Sequence, residues 1–165
     1  MPGVLYQYLS ADHEMLDGLL ARAAASSIID IEAYSEFRKR LLRHISIEEK
    51  IVLPAIAKWQ AGRKAVIADR LRLDHSAIAS LLVPPPSASI IATLRSIFSV
   101  HNPLEEDEGG LYDLFEKLAG PETEEMLRRL QSAPPVAVLP HNENPALLEL
   151  AKRTLARAGH DFKDV

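Results

Sequence analysis

The feature that most constrains this fold is a helical periodicity of apolar residues that extends over most of the chain. In four long stretches, apolar side chains recur at alternating spacings of three and four residues, the pattern of a helix with one face in a core. The sequence has no alternating run of β-branched residues bounded by turn residues, which would indicate a strand. We therefore predict an all-α protein.

The predicted helices are long and their connections are short. They cover residues 3–25, 32–60, 64–82 and 87–120, and a short amphipathic helix follows at 122–130. Long helices with short connections are typical of an antiparallel up-down four-helix bundle. We predict that residues 1–131 form such a bundle together with the short helix.

The remaining residues, 132–165, are predicted to be a proline-rich linker followed by a C-terminal helical extension. The helix begins with Asn144 as N-cap and Pro145 in the first turn, positions that favour these residue types. One face carries a modest apolar stripe, made of Leu147, Leu148, Ala151, Leu155 and Ala158. We expect this stripe to pack across the bundle, or to bind a second subunit or another protein.

Composition argues against several classes of function. The net charge of −4 disfavours nucleic acid and anionic membranes as partners, because both attract basic surfaces. No apolar run approaches the ~20 residues of a membrane-spanning helix. The N-terminus has no signal-peptide pattern, so we expect a cytoplasmic protein. Because the chain has no cysteine, any metal must be bound by histidine and carboxylate.

A polar pattern interrupts the apolar one on all four predicted bundle helices. The interrupting residues are His13, His44, Glu48, His75, His101 and Glu105. Burying such groups without partners is costly, and a metal centre would satisfy all of them at once. The spacing of four, in His44 with Glu48 and in His101 with Glu105, places both side chains of a pair on one helix face.

An internal repeat supports this interpretation. The segment DHEMLDGLL at 12–20 matches DHSAIASLL at 74–82, and HISIEE at 44–49 matches HNPLEE at 101–106. Each half of the chain thus supplies one helix with a single histidine and one helix with His-x-x-x-Glu-Glu. Two such helix pairs, packed face to face, would build a nearly symmetric site.

The number of ligands suits two metal ions. Four histidines provide two nitrogens per ion, and Glu48 and Glu105 can bridge ions that lie roughly 3.5–4 Å apart. An oxo or hydroxo bridge would add one more ligand and leave a position open. Imidazole and carboxylate suit iron, with manganese or zinc as alternatives. We predict two iron ions as the cofactor.

This pattern resembles that of the hemerythrin family, in its bacterial His-His-Glu cation-binding branch. The resemblance covers about residues 5–119 and is carried by His13, HISIEEKIVLPAI, DHSAIASLL and HNPLEEDEGGLYDLF. It implies a non-haem di-iron centre that binds, senses or reacts with oxygen, nitric oxide or peroxide. Iron storage and repair of damaged iron centres are other roles in the family.

The sequence departs from the oxygen carriers of that family. Their second histidine on the third helix is Ala79 here, and their His-x-x-x-x-Asp is His101-x-x-x-Glu105. One iron would be more open, which favours reactive chemistry or sensing over reversible carriage. Pro103 lies between the two fourth-helix ligands. We expect a kink that keeps both pointing inward; in the alternative, Asn102 is an N-cap and the helix is broken there.

Four acidic residues adjoin the predicted ligands. Glu49 and Glu106 each follow a ligand glutamate and point about 100° away from it on an ideal helix. We predict that Glu49 lies on a solvated face. Glu106 is either exposed or supports a ligand. Asp12 and Asp74 either support metal-bound imidazoles or occupy exposed helix positions.

A different class of function remains open from the sequence. In it the metal is structural, and a signalling or interaction module binds a protein partner, or a second copy, through residues 134–165. The two histidines of this segment, His141 and His160, are predicted to be solvated and not ligands. Enzymatic activity is also left open: no nucleophile with a neighbouring base is visible, and any catalysis would be the metal's own.

Overall fold

The computed structural model describes all 165 residues, and its regular structure is helical throughout, which confirms the all-α class. The α-helices are α1 (Val4–Ala23), α2 (Ile31–Ile47), α3 (Leu53–Trp59), α4 (Ala68–Leu81), α5 (Ala88–Glu106), α6 (Leu111–Ala119), α7 (Thr123–Gln131) and α8 (Pro145–Arg157). Asp30, Ser87 and Asn144 cap the starts of α2, α5 and α8 by accepting backbone N–H bonds. None of the helices combines the length and apolar character needed to cross a membrane.

A wider turn joins α2 to α3. Residues Glu48–Val52 are π-helical, and the Leu53 N–H bonds to the Glu48 carbonyl, five residues back. Pro54 accounts for this turn, because its ring would clash with the carbonyl four residues earlier in a regular α-helix. Turns of this kind are frequent at functional sites, and this one begins at a predicted metal ligand.

The predicted fourth helix is interrupted, so the expectation of a single helix through residue 120 was wrong. Pro103 lies inside α5, and the chain leaves helical geometry only at Asp107, with φ −65° and ψ 159°. Gly109 then has φ +81°, a left-handed conformation that glycine adopts without strain. A Cβ at Gly110 would lie 2.8 Å from three backbone carbonyl oxygens. The two glycines therefore permit a tight break before α6, and Asn102 does not begin a new helix.

The apolar core has two parts, which we name after the helices they include. The α8-side cluster contains Leu16, Leu41 and Ile78, and the α6-side cluster contains Leu5, Leu9 and Phe115. Along α1, His13 lies between Leu9 of one cluster and Leu16 of the other. The predicted ligands of α2, α4 and α5 likewise lie between residues of the two clusters. The core is therefore divided by a layer of buried polar side chains.

The C-terminal helix packs on the bundle. α8 lies against α4, and Ala151, Leu155 and Ala158 are buried in the α8-side cluster. Arg70 on α4 also donates from Nη1 to the Ala158 carbonyl at 2.8 Å. Of the alternatives for the apolar stripe, the structure thus shows packing across the bundle.

Candidate metal centre

The structure brings all six predicted ligands together in the polar layer. One histidine comes from each of the helices α1, α2, α4 and α5. Glu48 is the first residue of the π-helical turn, and Glu105 lies on α5, four residues after His101. All six side chains are buried: His13, His44, Glu48, His75, His101 and Glu105. Pro103 does not separate its neighbours, because His101 Nε2 lies 3.0 Å from Glu105 Oε1.

The donor atoms form two groups that share both glutamates. In the first donor group, made of His13, His44, Glu48 and Glu105, His44 Nε2 lies 3.0 Å from His13 Nε2 and 3.2 Å from Glu48 Oε1. His13 Nε2 lies 3.2 Å from Glu105 Oε2.

The second donor group has a compact part made of His75, His101 and Glu105, and Glu48 joins it through its contact with His75. It uses the other oxygen of each glutamate. His75 Nε2 lies 3.1 Å from Glu48 Oε2 and 3.7 Å from Glu105 Oε1. One oxygen of each carboxylate therefore faces each group, which is the arrangement that bridging of two ions requires.

Three buried atoms in this layer make no hydrogen bond of good geometry: Glu48 Oε2, His75 Nε2 and Glu105 Oε1. His75 Nε2 is near both glutamate oxygens, at 3.1 and 3.7 Å, but is not well aligned with either. All three belong to the second donor group. Such atoms carry a large desolvation cost unless something satisfies them. A metal ion would do so, since imidazole nitrogen and carboxylate oxygen are its usual donors, and the residues present therefore fit a metal centre.

Each of the four imidazoles is held by a carboxylate at its other nitrogen. His44 Nδ1–H donates to Asp12 at 3.0 Å, and His101 Nδ1–H donates to Asp74 at 3.1 Å. These two bonds stay within one half of the internal repeat. They fix the tautomer that leaves Nε2 free for a metal.

The other two supporting bonds cross between the halves. His75 Nδ1–H donates to Glu49 at 2.8 Å, and His13 Nδ1–H donates to Glu106. The prediction that Glu49 is merely solvated was therefore wrong. The residue after each bridging glutamate supports the lone histidine of the opposite half.

The electrostatics of the layer favour protonated imidazoles when no metal is bound. Burial lowers the pKa of His44, but the charges of Glu48 and Glu105 and the hydrogen bond to Asp12 together outweigh it and raise that pKa to about 10. Burial also lowers the pKa of His75, but the neighbouring carboxylates of Glu105, Glu48 and Glu49 together outweigh it and raise that pKa to about 11. A metal ion must displace these protons, because it binds neutral imidazole.

A tyrosine that the sequence analysis did not select reaches the same centre. The hydroxyl of Tyr112, at the start of α6, donates to Glu48 Oε1 at 2.6 Å. It also lies 3.0 Å from His13 Nε2, 3.1 Å from His44 Nε2 and 3.3 Å from Glu105 Oε2. The side chain is fully buried. The position of Tyr112 directly after the two-glycine break gave no apparent signal in the sequence.

The C-terminal segment also contributes to the centre. His160 Nε2–H donates to Asp74 Oδ1 at 2.7 Å, while the other oxygen of Asp74 accepts from the ligand His101. Arg70 Nη2 lies 3.0 Å from the same Oδ1. The prediction that His160 is solvated was wrong, since only 9% of its side chain is exposed. His141, predicted to be solvated as well, has its ring 6.0 Å from that of Tyr34.

A cavity of about 80 Å³ adjoins the centre on the side of the α8-side cluster. Its apolar wall includes Leu16, Leu41, Ile78 and Phe98, and its polar wall includes His13, His44, Glu48 and His101. This is several times the room that one water molecule needs. A molecule of a few atoms could therefore lie next to the donor atoms, between an apolar and a polar wall.

The fold and the donor set together define a helical metal-binding protein with a buried histidine–glutamate centre. A model of the hemerythrin HHE cation binding domain matches residues 4–118. The chain therefore belongs to the hemerythrin HHE cation-binding family, as its sequence pattern indicated. Comparison with curated proteins and with solved structures found no match.

Proposed function

We propose that this chain is a non-haem di-iron protein that binds, senses or reacts with oxygen, nitric oxide or peroxide. The proposed ligands are His13, His44, Glu48, His75, His101 and Glu105. Bound iron would supply the capacity to bind such molecules and to exchange electrons with them. We further propose that the four ligand-bearing helices follow the antiparallel up-down order predicted from their lengths.

The observation that carries the proposal is the divided use of the two glutamates. Glu48 and Glu105 each direct one oxygen to the first donor group and the other to the second. The unpartnered atoms of the second donor group favour a bound ion over a purely hydrogen-bonded core. Imidazole and carboxylate without thiolate suit iron.

The cavity supports a small molecule as the reactant. Its apolar wall offers no hydrogen-bonding side chains to a bound molecule and would favour weakly polar molecules. The carboxylates at the Nδ1 atoms hold the imidazoles in place while a reactant enters or leaves. The chain's part in the chemistry is therefore to orient the ligands and to keep a space open beside them.

The first test is elemental analysis of protein produced with iron supplied and zinc limited. We expect about two irons per chain, as two-metal sites require. Glu48→Ala should lose both ions, because one carboxylate serves both groups. Glu149→Ala, a change of the same residue type on the exposed surface of α8, is the matched control and should keep both.

The second stage is titration of the iron-loaded protein with nitric oxide, oxygen and peroxide, followed by optical spectroscopy. A change in the iron absorption with any of them supports the proposal. Full metal content in Glu48→Ala, or an iron-loaded protein that responds to none of the three, contradicts it. Iron storage, iron-centre repair, and a partner bound through residues 134–165 stay predictions from the sequence.

A further inference from the structure

We propose that the hydroxyl oxygen of Tyr112 is a fifth protein ligand in the first donor group, so that the two metal sites differ. This inference rests on the proposed function, because it requires metal in the centre. The competing interpretation is that Tyr112 only donates a hydrogen bond to Glu48, as it does at 2.6 Å in the structure.

The donor separations favour ligation. Metal–ligand bonds of about 2.0–2.2 Å place neighbouring donors at right angles about 3 Å apart. The four distances from the Tyr112 hydroxyl to donor atoms of the group range from 2.6 to 3.3 Å. A hydrogen bond to one acceptor would not require the oxygen to be this close to three further donors, two of which are imidazole nitrogens.

The other members of the group lie close to one another as well as to the hydroxyl. His13 Nε2, His44 Nε2 and the facing oxygens of the two glutamates are linked by separations of 3.0–3.2 Å. The Tyr112 hydroxyl is within 3.3 Å of all four atoms. Tyr112 would therefore hold a metal ion together with His13, His44, Glu48 and Glu105.

The internal repeat shows that this ligand is specific to one site. Tyr112 follows Glu105 by seven residues, and the residue seven after Glu48 is Ala55. The second donor group therefore has no equivalent phenol, and all the unpartnered donor atoms of the layer lie in it. The two halves of the repeat supply matching histidines and glutamates, but only one half supplies a tyrosine. The second site would therefore keep more open coordination positions than the first.

The two sides of the layer are also unequal. Tyr112 belongs to the α6-side cluster, whereas the cavity is lined by Leu16, Leu41 and Ile78 of the α8-side cluster. The tyrosine closes the first site from one side, and a small molecule approaches from the other. Ligation would release the phenolic proton to solvent and transfer no electrons, as for other ligands that bind metal in deprotonated form.

The test is the visible absorption of the ferric protein. Phenolate bound to ferric iron gives an intense visible charge-transfer band that imidazole and carboxylate do not give. We expect this band in the unchanged protein and its complete loss in Tyr112→Phe, with about two irons per chain in both. Tyr34→Phe is the matched control: Tyr34 is fully buried, its hydroxyl has no partner, and the band should be unchanged.

A second measurement covers the case in which Tyr112→Phe does not fold. Zinc added to the metal-free, unchanged protein should produce the ultraviolet difference spectrum of tyrosinate, without any contribution from iron. Two irons without a tyrosinate band, or a band that persists in Tyr112→Phe, overturns the inference and leaves the proposed function intact. A protein that binds neither iron nor zinc overturns the proposed function itself.

Discussion

Replacement of His160 by alanine tests whether the C-terminal segment supports the metal centre. His160 contacts no proposed ligand directly and acts through Asp74, whose two oxygens join it to His101. Without the imidazole, Asp74 keeps its ion pair with Arg70, whose side chain is 42% exposed. The carboxylate would be less firmly held, and His101 would be less well oriented.

The size of the effect follows from the bond that is lost. A hydrogen bond to a buried charged group contributes about 1.5–3 kcal/mol, and changes to groups that hold metal ligands typically lower metal affinity about 10- to 100-fold. These ranges agree, because 1.4 kcal/mol corresponds to about a factor of ten. Since Arg70 still partners Asp74, we expect the lower end, about a tenfold loss.

Competition with a chelator measures metal affinity, with denaturant unfolding of the metal-free variants in parallel. His141→Ala is the control, because this other histidine of the C-terminal segment lies beside Tyr34. Asp74→Ala should lose more affinity than His160→Ala, since it removes the acceptor of His101 outright. If His160→Ala and His141→Ala bound metal equally well, the link from the C-terminal segment to the centre would be refuted.

Three further predictions concern pH and packing. Metal affinity should rise between pH 6 and 9, because the pKa of His44 is about 10 without metal and its proton must leave before metal binds. Metal binding should therefore release protons, which a weakly buffered solution detects. A metal affinity that is constant over this pH range would contradict the prediction. The pKa of His75 is about 11 in the folded, metal-free protein and near 6.5 in the unfolded chain, so protonated His75 stabilises the fold. This stabilisation is complete below pH 6.5 and is lost as the pH rises toward 11. Denaturant midpoints at several pH values measure it, and the absence of a decline would contradict the prediction. Leu155→Ala should lower the free energy of unfolding by about 2–5 kcal/mol, since Leu155 is fully buried, and an unchanged unfolding midpoint would show that α8 is not part of the core.

The proposed ligands could be found from the sequence because their position is set by helix periodicity. A histidine such as His13, on an otherwise apolar stripe, must enter the core once the helix forms. The repeat then supplied a second, independent indication that the two halves face each other. The same residues indicated the family, and the match of the family model to residues 4–118 confirms it.

The remaining parts of the centre depend on tertiary structure. Tyr112 reaches the donors from a separate helix after a break that the helical pattern of the preceding residues concealed. His160 is brought to Asp74 only because α8 packs on α4, a long-range contact that local pattern does not encode. The prediction for Glu49 was wrong because helix geometry gives the direction of its side chain but not what the neighbouring helix places there. His75 on α4 donates its Nδ1–H to Glu49.

Because two of the supporting hydrogen bonds cross between the halves, neither half of the chain contains carboxylate partners for both of its histidine ligands. Glu49 serves His75, and Glu106 serves His13. A chain cut in the turn that contains Gly62, between α3 and α4, would give two fragments, each with one histidine lacking its acid. Restored metal binding on mixing the fragments would then report their reassembly, because a fully supported centre requires both halves of the chain.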